Sequence, residues 1–411
     1  MRRLLASQTL LKVLDQALSS TVNLLASVFA AWALDVEEFG AFGLLVAAYL
    51  AAAGLGRAVA GDALLLRGEP GGTGPTGGAV GAAALVGVVC GALVAGVGLV
   101  LVDGTAADGV LMLSVLLPLL LVQDSLRYVA YLDGRALHAA ASNAGWVVLS
   151  LLAILLLAQT APSLPQVVAA WAVPGAVVGV ATLSLYRRQV RSSQVVPWFI
   201  HTRRLTPPLV GDYVIVAIAQ QGLLYAVTWA TGLSGAAAVR GALVLLGPIN
   251  VLVAGASTSL VPRIRGSAVE GRAALLRACA SASGVLAVSA AVSGAVVVVV
   301  LGPVFGELVL GRSWSVVAPV LPYSAVALSL FAATVAPVTG IRVLGRASSA
   351  TALAAVLLAP MSVAFVVGAG LDGARGAVIG QCLVAAVGLI TWWLLFARLA
   401  ARVDGPRPVG A

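Results

Sequence analysis

Seven ionisable side chains interrupt the long apolar stretches of this sequence and are its first candidates for chemistry. They are Asp15, Arg57, Asp62, Asp124, Arg127, Asp212 and Arg240. A charge at the centre of a membrane helix costs at least about 2.5–3.5 kcal/mol on insertion scales, so it needs a partner or water. Residues of this kind mark substrate or ion pathways, and all seven are therefore functional candidates.

Spacing and depth separate these residues from one another. Asp124 and Arg127 are three positions apart, so they share one helix face and can pair. Arg57 lies about 14 Å above the inner end of its helix at about 1.5 Å per residue, too deep to reach the interface easily. Asp62 is a poor partner for Arg57, because five residues turn a helix by about 140°. The expected partner of Arg57 is Asp124 on a neighbouring helix, or an anionic substrate.

Structural roles are open alternatives for the other candidates. Arg127 can form a purely structural ion pair or extend towards the interface. Asp15 and Asp212 lie at the cytoplasmic feet of their helices, and Arg240 lies near the outer face, where interfacial placement is as good an explanation as function. Arg57 follows a Gly-Leu-Gly sequence that permits close helix approach or a local break, and we expect it to face an aqueous cavity.

The apolar stretches themselves define the class of protein. Of 411 residues, 61% are hydrophobic and 9% are charged, whereas an average soluble domain has about 25% charged residues. Stretches of about 20 apolar residues recur along the chain, which is the length needed to cross a bilayer. Only helices satisfy the backbone hydrogen bonds of such stretches in lipid. We predict an all-α, polytopic membrane protein of about twelve transmembrane helices.

The predicted spans fall into two groups of six. They lie at roughly 11–34, 39–66, 79–102, 110–132, 140–160, 164–186, 209–231, 237–262, 278–301, 317–341, 349–369 and 376–398. This pattern predicts an N-terminal lobe at 1–186, a basic cytoplasmic linker at 187–208, a C-terminal lobe at 209–398 and a cytoplasmic tail at 399–411. Matching residues recur at offsets near 200, which favours two parallel repeats. The linker contains five arginines beside an aromatic and apolar cluster, so it is either a connector or a helix on anionic lipid.

Arginine is distributed unevenly between alternate loops. One set of segments contains Arg2, Arg3, Arg67, Arg135, Arg187, Arg188, Arg191, Arg203, Arg204, Arg263, Arg265, Arg272, Arg277, Arg342, Arg346, Arg398, Arg402 and Arg407. The other set contains Asp35, Glu37, Glu38, Asp103, Asp108, Glu307 and Asp372, with Arg312 and Arg375. Cytoplasmic loops are rich in basic residues, so both termini are predicted to be cytoplasmic in a multi-pass protein of the cell membrane. The same distribution explains the net charge of +9 without nucleic acid as a partner.

Signals for enzymatic chemistry are absent from the sequence. A single lysine, Lys12, lies outside any phosphate-binding loop motif. His138 and His201 belong to no metal-binding motif, and the three cysteines lie singly in separate apolar stretches. We therefore predict no catalytic residues, no metal and no cofactor. Short loops and many spans favour a transporter over an enzyme.

Three short segments carry a family resemblance. They are the acidic pair and Phe-Gly within 34–43, the proline-bearing sequence at 260–263 and the sequence Val-Phe-Gly-Glu at 304–307. In their order and spacing they resemble the polysaccharide transporter branch of the multidrug/oligosaccharidyl-lipid/polysaccharide exporter (MOP) superfamily. This branch includes the Wzx-type O-antigen flippases. The resemblance implies a fold like that of the multidrug exporters called MATE, with two six-helix lobes.

The resemblance also implies a function and roles for the charged residues. Its substrate would be a polyprenyl-pyrophosphate-linked oligosaccharide, flipped across the membrane by alternating access for polysaccharide biosynthesis, with membrane lipids and polysaccharide assembly proteins as further partners. It implies substrate binding by Arg57, Arg127 and Arg240. The carboxylates Asp15, Asp62, Asp124 and Asp212 are ion-pairing residues, or ion-coupling residues in a cation-coupled multidrug exporter of the same fold. A membrane assembly protein without transport activity is a third alternative.

The arginine distribution gives a test of orientation. In a variant whose native cysteines are replaced by alanine, Glu37→Cys should react with a membrane-impermeant maleimide in intact cells, because the acidic loop is predicted to face outward. A cysteine introduced at Arg346, in a predicted inner loop, should react only after permeabilisation. The reverse pattern of labelling would contradict the predicted orientation.

Overall fold

Apolar sequences without water to bind their backbones form helices, and the chain does so almost throughout. The structure is a computed structural model that describes residues 2–67, 76–101, 104–187, 190, 194–217 and 221–402. Within these ranges the regular structure is helical. The predicted loop residues Asp103, Arg188, Arg191 and Arg407, with most of the predicted tail, lie outside them.

The chain divides into two compact units, Met1–Ala217 and Ile218–Ala411. The first contains α1 (Arg2–Ala33), α2 (Val36–Gly56), a π-helical turn (Arg57–Gly61), α3 (Asp62–Arg67), α4 (Thr76–Leu101), α5 (Thr105–Leu132), α6 (Ala136–Leu157), α7 (Leu164–Tyr186), α8 (Val195–Thr202) and α9 (Thr206–Ala217). The second contains α10 (Leu223–Glu270), α11 (Arg272–Val296), a π-helical segment (Val297–Leu301), α12 (Gly302–Leu310), a short 3₁₀ turn (Gly311–Ser313), α13 (Trp314–Val317), α14 (Leu321–Val343) and α15 (Ala347–Ala400). The predicted linker 187–208 and the start of the seventh predicted span lie on the first side of this division.

Ten helices of the described residues are long and apolar enough to cross a membrane. Six of them, from Leu10–Ala33 to Leu164–Tyr186, match the first six predicted spans within a few residues. In the second unit, Ala347–Ala400 covers two predicted spans, because non-helical backbone at Asp372 and Gly373 divides it. The polytopic all-α class is confirmed, whereas the relation of the units as parallel repeats stays a prediction.

Aromatic residues fill the centre of the first unit. Phe42, Tyr49, Trp146 and Trp171 are buried and contact one another edge-on or stacked. The indole Nε1 of Trp146 donates a hydrogen bond to the carbonyl oxygen of Trp171 at 2.7 Å. This bond satisfies a polar group that would otherwise be costly in an apolar interior.

Small residues let the helices approach closely. A Cβ built on Gly87 of α4 would lie 2.5 Å from the Cα of Pro118 on α5, and one on Gly91 would collide with the carbonyl oxygen of Ser114. An added Cβ would likewise collide with another part of the protein at either glycine of the pair in α7, at 175 and 179, and of the pair in α15, at 376 and 380. Such contacts are the usual role of glycine in membrane helices, where packing replaces hydrophobic burial.

Two glycines of α4 provide a matched test of this packing. Gly87→Ala should lower the stability of the protein by about 1–3 kcal/mol, because the new methyl group meets backbone rather than a flexible side chain. Gly96→Ala should be neutral or slightly stabilising, because a Cβ at Gly96 meets nothing within 4 Å and alanine favours helix. Thermal unfolding of the two purified variants in detergent measures the difference. Equal melting temperatures would contradict the packing argument.

Candidate functional site

Four of the seven predicted residues meet inside the first unit and form what we call the charged cluster: Asp15, Arg57, Asp124 and Arg127. Arg127 donates from Nε and Nη2 to Oδ2 of Asp15, at 2.9 and 2.6 Å. It donates from Nη1 to Oδ1 of Asp124 at 2.7 Å. Arg57 donates from Nε to Oδ2 of Asp124 at 2.8 Å and from Nη2 to Oδ1 at 3.1 Å. The expected pairs Asp124–Arg127 and Arg57–Asp124 are therefore both present.

A local break in the second span positions Arg57. The bare Cα of Gly54 faces the ring of Tyr213, and a Cβ on Gly56 would lie 3.2 Å from Leu121. The π-helical turn begins at Arg57, and the amide of Asp62 donates to the carbonyl oxygen of Arg57, five residues earlier. The Gly-Leu-Gly sequence thus precedes both a close approach and a change of helical register, the two alternatives expected from it. Single π-helical turns within α-helices occur often at functional sites.

Asp15, which lies at the end of the charged cluster away from Arg57, is buried, and both of its carboxylate oxygens accept hydrogen bonds. Asp15 has 0% of its surface exposed. Its Oδ1 accepts from Nδ2 of Asn143 at 2.7 Å, and its Oδ2 also accepts from the hydroxyl of Tyr131. The Oδ1 of Asn143 accepts from Nε2 of Gln123 at 3.1 Å. This network joins α1, α5 and α6, and a buried network whose members are all bonded fixes one arrangement of its helices.

Exposure distinguishes Arg57 from the rest of the charged cluster. The side chains of Arg127 and Asp124 are each 5% exposed, whereas that of Arg57 is 32% exposed. Two arginines and two aspartates cancel in formal charge, so the cluster is balanced rather than cationic. A guanidinium has five N–H donors in a planar fork. Arg57 directs two of them to Asp124, which leaves three at the terminal edge of the fork.

The remaining predicted residues lie elsewhere. Asp62, on α3, is exposed and forms no ion pair with any other described residue. Arg57 is bonded to Asp124 instead. Asp212 is half-buried on α9 of the first unit, and Arg240 is half-buried on α10 of the second.

Two members of the network were not predicted from the sequence. Tyr131 lies four residues after Arg127, which places both on one face of α5. That spacing was available as a signal, but a tyrosine near a helix end is common enough to carry little weight. Asn143 is a polar residue in an apolar stretch, and only the packing of α6 on α1 brings it to Asp15.

A metal centre is not built by the described side chains. No group of three histidine, cysteine, aspartate or glutamate residues suited to a metal ion occurs among them. The charged cluster offers two carboxylates, and both accept hydrogen bonds from arginine. The interactions seen in it are ion pairs between arginine and aspartate.

The fold is that of the MOP superfamily transporters. A multidrug resistance MATE transporter in an inward-facing conformation matches with a TM-score of 0.66 and 15% identity, over 96% of this chain and 100% of the other. The lipid II flippase MurJ, in an inward closed conformation, matches with a TM-score of 0.72 and 10% identity, over 95% of this chain and 90% of the other.

A third solved structure belongs to the same superfamily. It is a MOP transporter from Pyrococcus furiosus described by the reverse polarity of its binding pocket, and it matches with a TM-score of 0.61 and 15% identity over 96% of each chain. No family model matches the sequence, and no curated protein matches it either. At identities this low the comparisons define the fold, and the charged residues must be interpreted from their own geometry.

The geometry of the charged cluster predicts unequal effects of removing its two arginines. Arg127→Met leaves the buried carboxylates of Asp15 and Asp124 without their shared cation and should cost about 3–5 kcal/mol of stability. Arg57→Met should cost much less, because Asp124 keeps its bond to Arg127. Membrane abundance and thermal unfolding in detergent measure both. Adding Asp15→Asn to the Arg127→Met variant should recover part of the loss, and equal stability of the two single variants would contradict the assignment.

Proposed function

We propose that this protein is a transporter that flips a polyprenyl-pyrophosphate-linked oligosaccharide from the inner to the outer leaflet of the cytoplasmic membrane. Transport proceeds by alternating access and supplies polysaccharide biosynthesis. The fold supports the proposal, because it is shared by a protein described as a lipid II flippase. It is equally shared by multidrug exporters, so the choice between them rests on the charged cluster.

The proposal depends on one observation, that Arg57 is paired with Asp124 and is still partly exposed. Its guanidinium is held by Asp124 through one edge, at 2.8 and 3.1 Å, while 32% of the side chain stays exposed. A fork fixed on one edge presents its remaining donors in one orientation, which lowers the entropy lost on binding a ligand. Arginine is suited to pyrophosphate because its paired donors match two phosphate oxygens. We assign the first contact with the pyrophosphate to Arg57.

The other two arginines have different relations to this site. Each of the three nitrogens of Arg127 donates to a carboxylate, so in this arrangement Arg127 supports the pair of Arg57 with Asp124. Arg240 belongs to the second unit and remains a proposed substrate contact there. Membrane lipids and polysaccharide assembly proteins remain proposed partners, and the cytoplasmic position of both termini remains a prediction from the arginine distribution.

A cation-coupled multidrug exporter is the second candidate, and two of its predicted coupling residues are already occupied. Asp15 and Asp124 each accept from arginine at 2.9 Å or less. A carboxylate whose oxygens already accept from arginine is neutralised by that cation and has little left to offer a coupling cation. Asp62, which is exposed, and Asp212 are the other two carboxylates predicted for coupling. This pattern favours the flippase, while a dye-export assay keeps the second candidate open to test.

Arg57→Ala provides the central test. In proteoliposomes containing a fluorescent polyprenyl-pyrophosphate-linked N-acetylglucosamine, this variant should flip the probe at least about tenfold more slowly, because a charge-assisted phosphate contact contributes about 1.5–3 kcal/mol. Its membrane abundance should remain normal, since Asp124 keeps Arg127. Arg57→Lys should restore flipping only in part, because a point charge replaces a fork.

Arg375→Ala is the matched control. Arg375 is also an arginine paired with an aspartate, at 3.4 Å from Asp372, but it is 49% exposed and lies in the second unit. This variant should flip the probe normally. Normal flipping by a well-expressed Arg57→Ala protein would remove Arg57 from the mechanism. Export of cationic dye without flipping would favour the multidrug exporter, and the absence of both activities would favour an assembly protein.

A further inference from the structure

The helix of the predicted linker reaches the turn that carries Arg57. The side chain of Trp198 on α8 is 1% exposed. Its indole Nε1 donates to the carbonyl oxygen of Val59 at 3.1 Å. Val59 lies within the π-helical turn, two residues after Arg57. A residue distant in sequence therefore bonds directly to the backbone that sets the position of Arg57.

Two glycines of α4 allow α8 to pack closely against that helix. A Cβ on Gly78 would collide with the carbonyl oxygen of Gln194 and would lie 2.8 Å from the Cβ of Trp198. A Cβ on Gly81 would collide with a methyl group of Val195. The opposite face of α8 is apolar and exposed, with Val196 at 67% and Ile200 at 58%. The helix is thus fixed to the unit through Trp198 and the bare surface of α4.

The next helix along the chain, α9, contacts α2, the helix that precedes Arg57. On α9, the hydroxyl of Tyr213 lies 2.9 Å from the carbonyl oxygen of Ala51 and 3.1 Å from that of Leu50, and it donates to this pair. The ring of Tyr213 occupies the space in front of Gly54. The segment 195–217 therefore holds α2 and the π-helical turn at two points, one on each side of Arg57.

A π-helical turn needs such support because it is less favourable than α-helix. Its hydrogen bonds connect residues five apart, and such turns are rare as isolated structure. Returning to an α-helix would rotate the residues before the turn relative to those after it by about 100°, the angle of one residue. The guanidinium of Arg57 would then lose its alignment with Asp124. The bond from Trp198 to the carbonyl oxygen of Val59, inside the turn, stabilises the π-helical hydrogen-bond pattern against a return to α-helix.

We propose that Trp198 is a positioning residue for Arg57, which holds the π-helical turn open through its bond to Val59 and thereby aligns the guanidinium for an anionic headgroup. Its effect on transport rests on the proposed function. Its effect on the turn does not, and it can be measured without any substrate. The linker is then part of the binding site as well as a connection along the chain.

Hydrogen exchange followed by mass spectrometry on the full-length protein in detergent tests the effect on the turn. Trp198→Phe keeps an aromatic ring but removes the donor. Loss of one hydrogen bond changes an equilibrium about two- to tenfold, so exchange in peptides covering residues 57–64 should accelerate by about that factor. Trp146→Phe is the control, because it also removes an indole donor to a buried carbonyl of this unit. It should leave exchange at 57–64 unchanged.

A second pair of variants leaves Trp198 intact. Gly78→Ala should displace α8 from α4 and accelerate exchange at 57–64 in the same way. Gly96→Ala on the same helix should not, because its Cβ meets nothing within 4 Å. In the proteoliposome assay with the fluorescent pyrophosphate-linked probe, Trp198→Phe and Gly78→Ala should slow flipping at least about twofold, and both controls should flip normally.

The outcomes separate the two proposals. Unchanged exchange at 57–64 in Trp198→Phe overturns the positioning role, and so does accelerated exchange with unchanged flipping. The unmodified protein could fail to flip the probe while Trp198→Phe still accelerates exchange at 57–64. That result would support the role of Trp198 in stabilising the π-helical turn and would count only against the flippase. A folded Gly78→Ala variant with unchanged exchange would also overturn the role of α8.

Discussion

Arg127 holds two buried carboxylates at once. It bonds Asp15 on α1 and Asp124 on its own helix, so one guanidinium fixes the position of the first helix against the fifth. Burial of charges is costly unless each is paired and bonded, and this requirement determines the rest of the site. The hydroxyl of Tyr131 and the amide of Asn143 complete the shell of Asp15. Arg57 can be half exposed because its partner Asp124 is already held.

Under the proposed function, a balanced cluster has a consequence for how substrate is released. A purely cationic cavity would attract a pyrophosphate strongly and would also retain it. In this unit the field of Arg57 is partly cancelled by Asp124, so a phosphate bound as proposed would gain directional hydrogen bonds with a smaller Coulomb attraction. The directional part of the interaction depends on the alignment of the guanidinium, which the π-helical turn sets. Binding can therefore be weakened by a small rotation of one helix, without removal of any charge.

The sequence predicted the features that depend on composition and local spacing. Spans in the first unit were predicted within a few residues, because a bilayer imposes a length and an apolar composition on every helix. The pair of Asp124 with Arg127 followed from their separation by three residues, and Asp62 was excluded as a partner of Arg57 by the same helical geometry. For Arg57 two partners stayed open, Asp124 or an anionic substrate, and the structure contains the first. Each of these arguments uses one helix at a time or the cost of a lone charge.

What the sequence left open depends on how helices meet. Asp15 was a candidate with no known partner, because nothing in its own helix shows that α5 presents Arg127 to it. Asn143 and Tyr131 became members of the site only through the packing of α6 and α5 on α1. The glycines before Arg57 suggested a break, but the π-helical register depends on tertiary contacts from Tyr213 and Trp198. The composition of the linker fits a connector or a lipid-facing helix, and its hydrogen bond to Val59 has no local signature in the sequence.

The π-helical turn also bears on how such proteins diverge. A turn of this kind adds one residue to a helix without lengthening it by a full step, so it accommodates an insertion inside a membrane span. Without the extra residue, the helix before the turn would be rotated by about 100° relative to α3, so an arginine would need a different position in the sequence to reach the same carboxylate. Residues matched in a sequence alignment across this turn would then not occupy the same place in the structures with and without that residue. In a membrane helix of this kind, inserting or deleting one residue redirects an arginine as effectively as a substitution removes it.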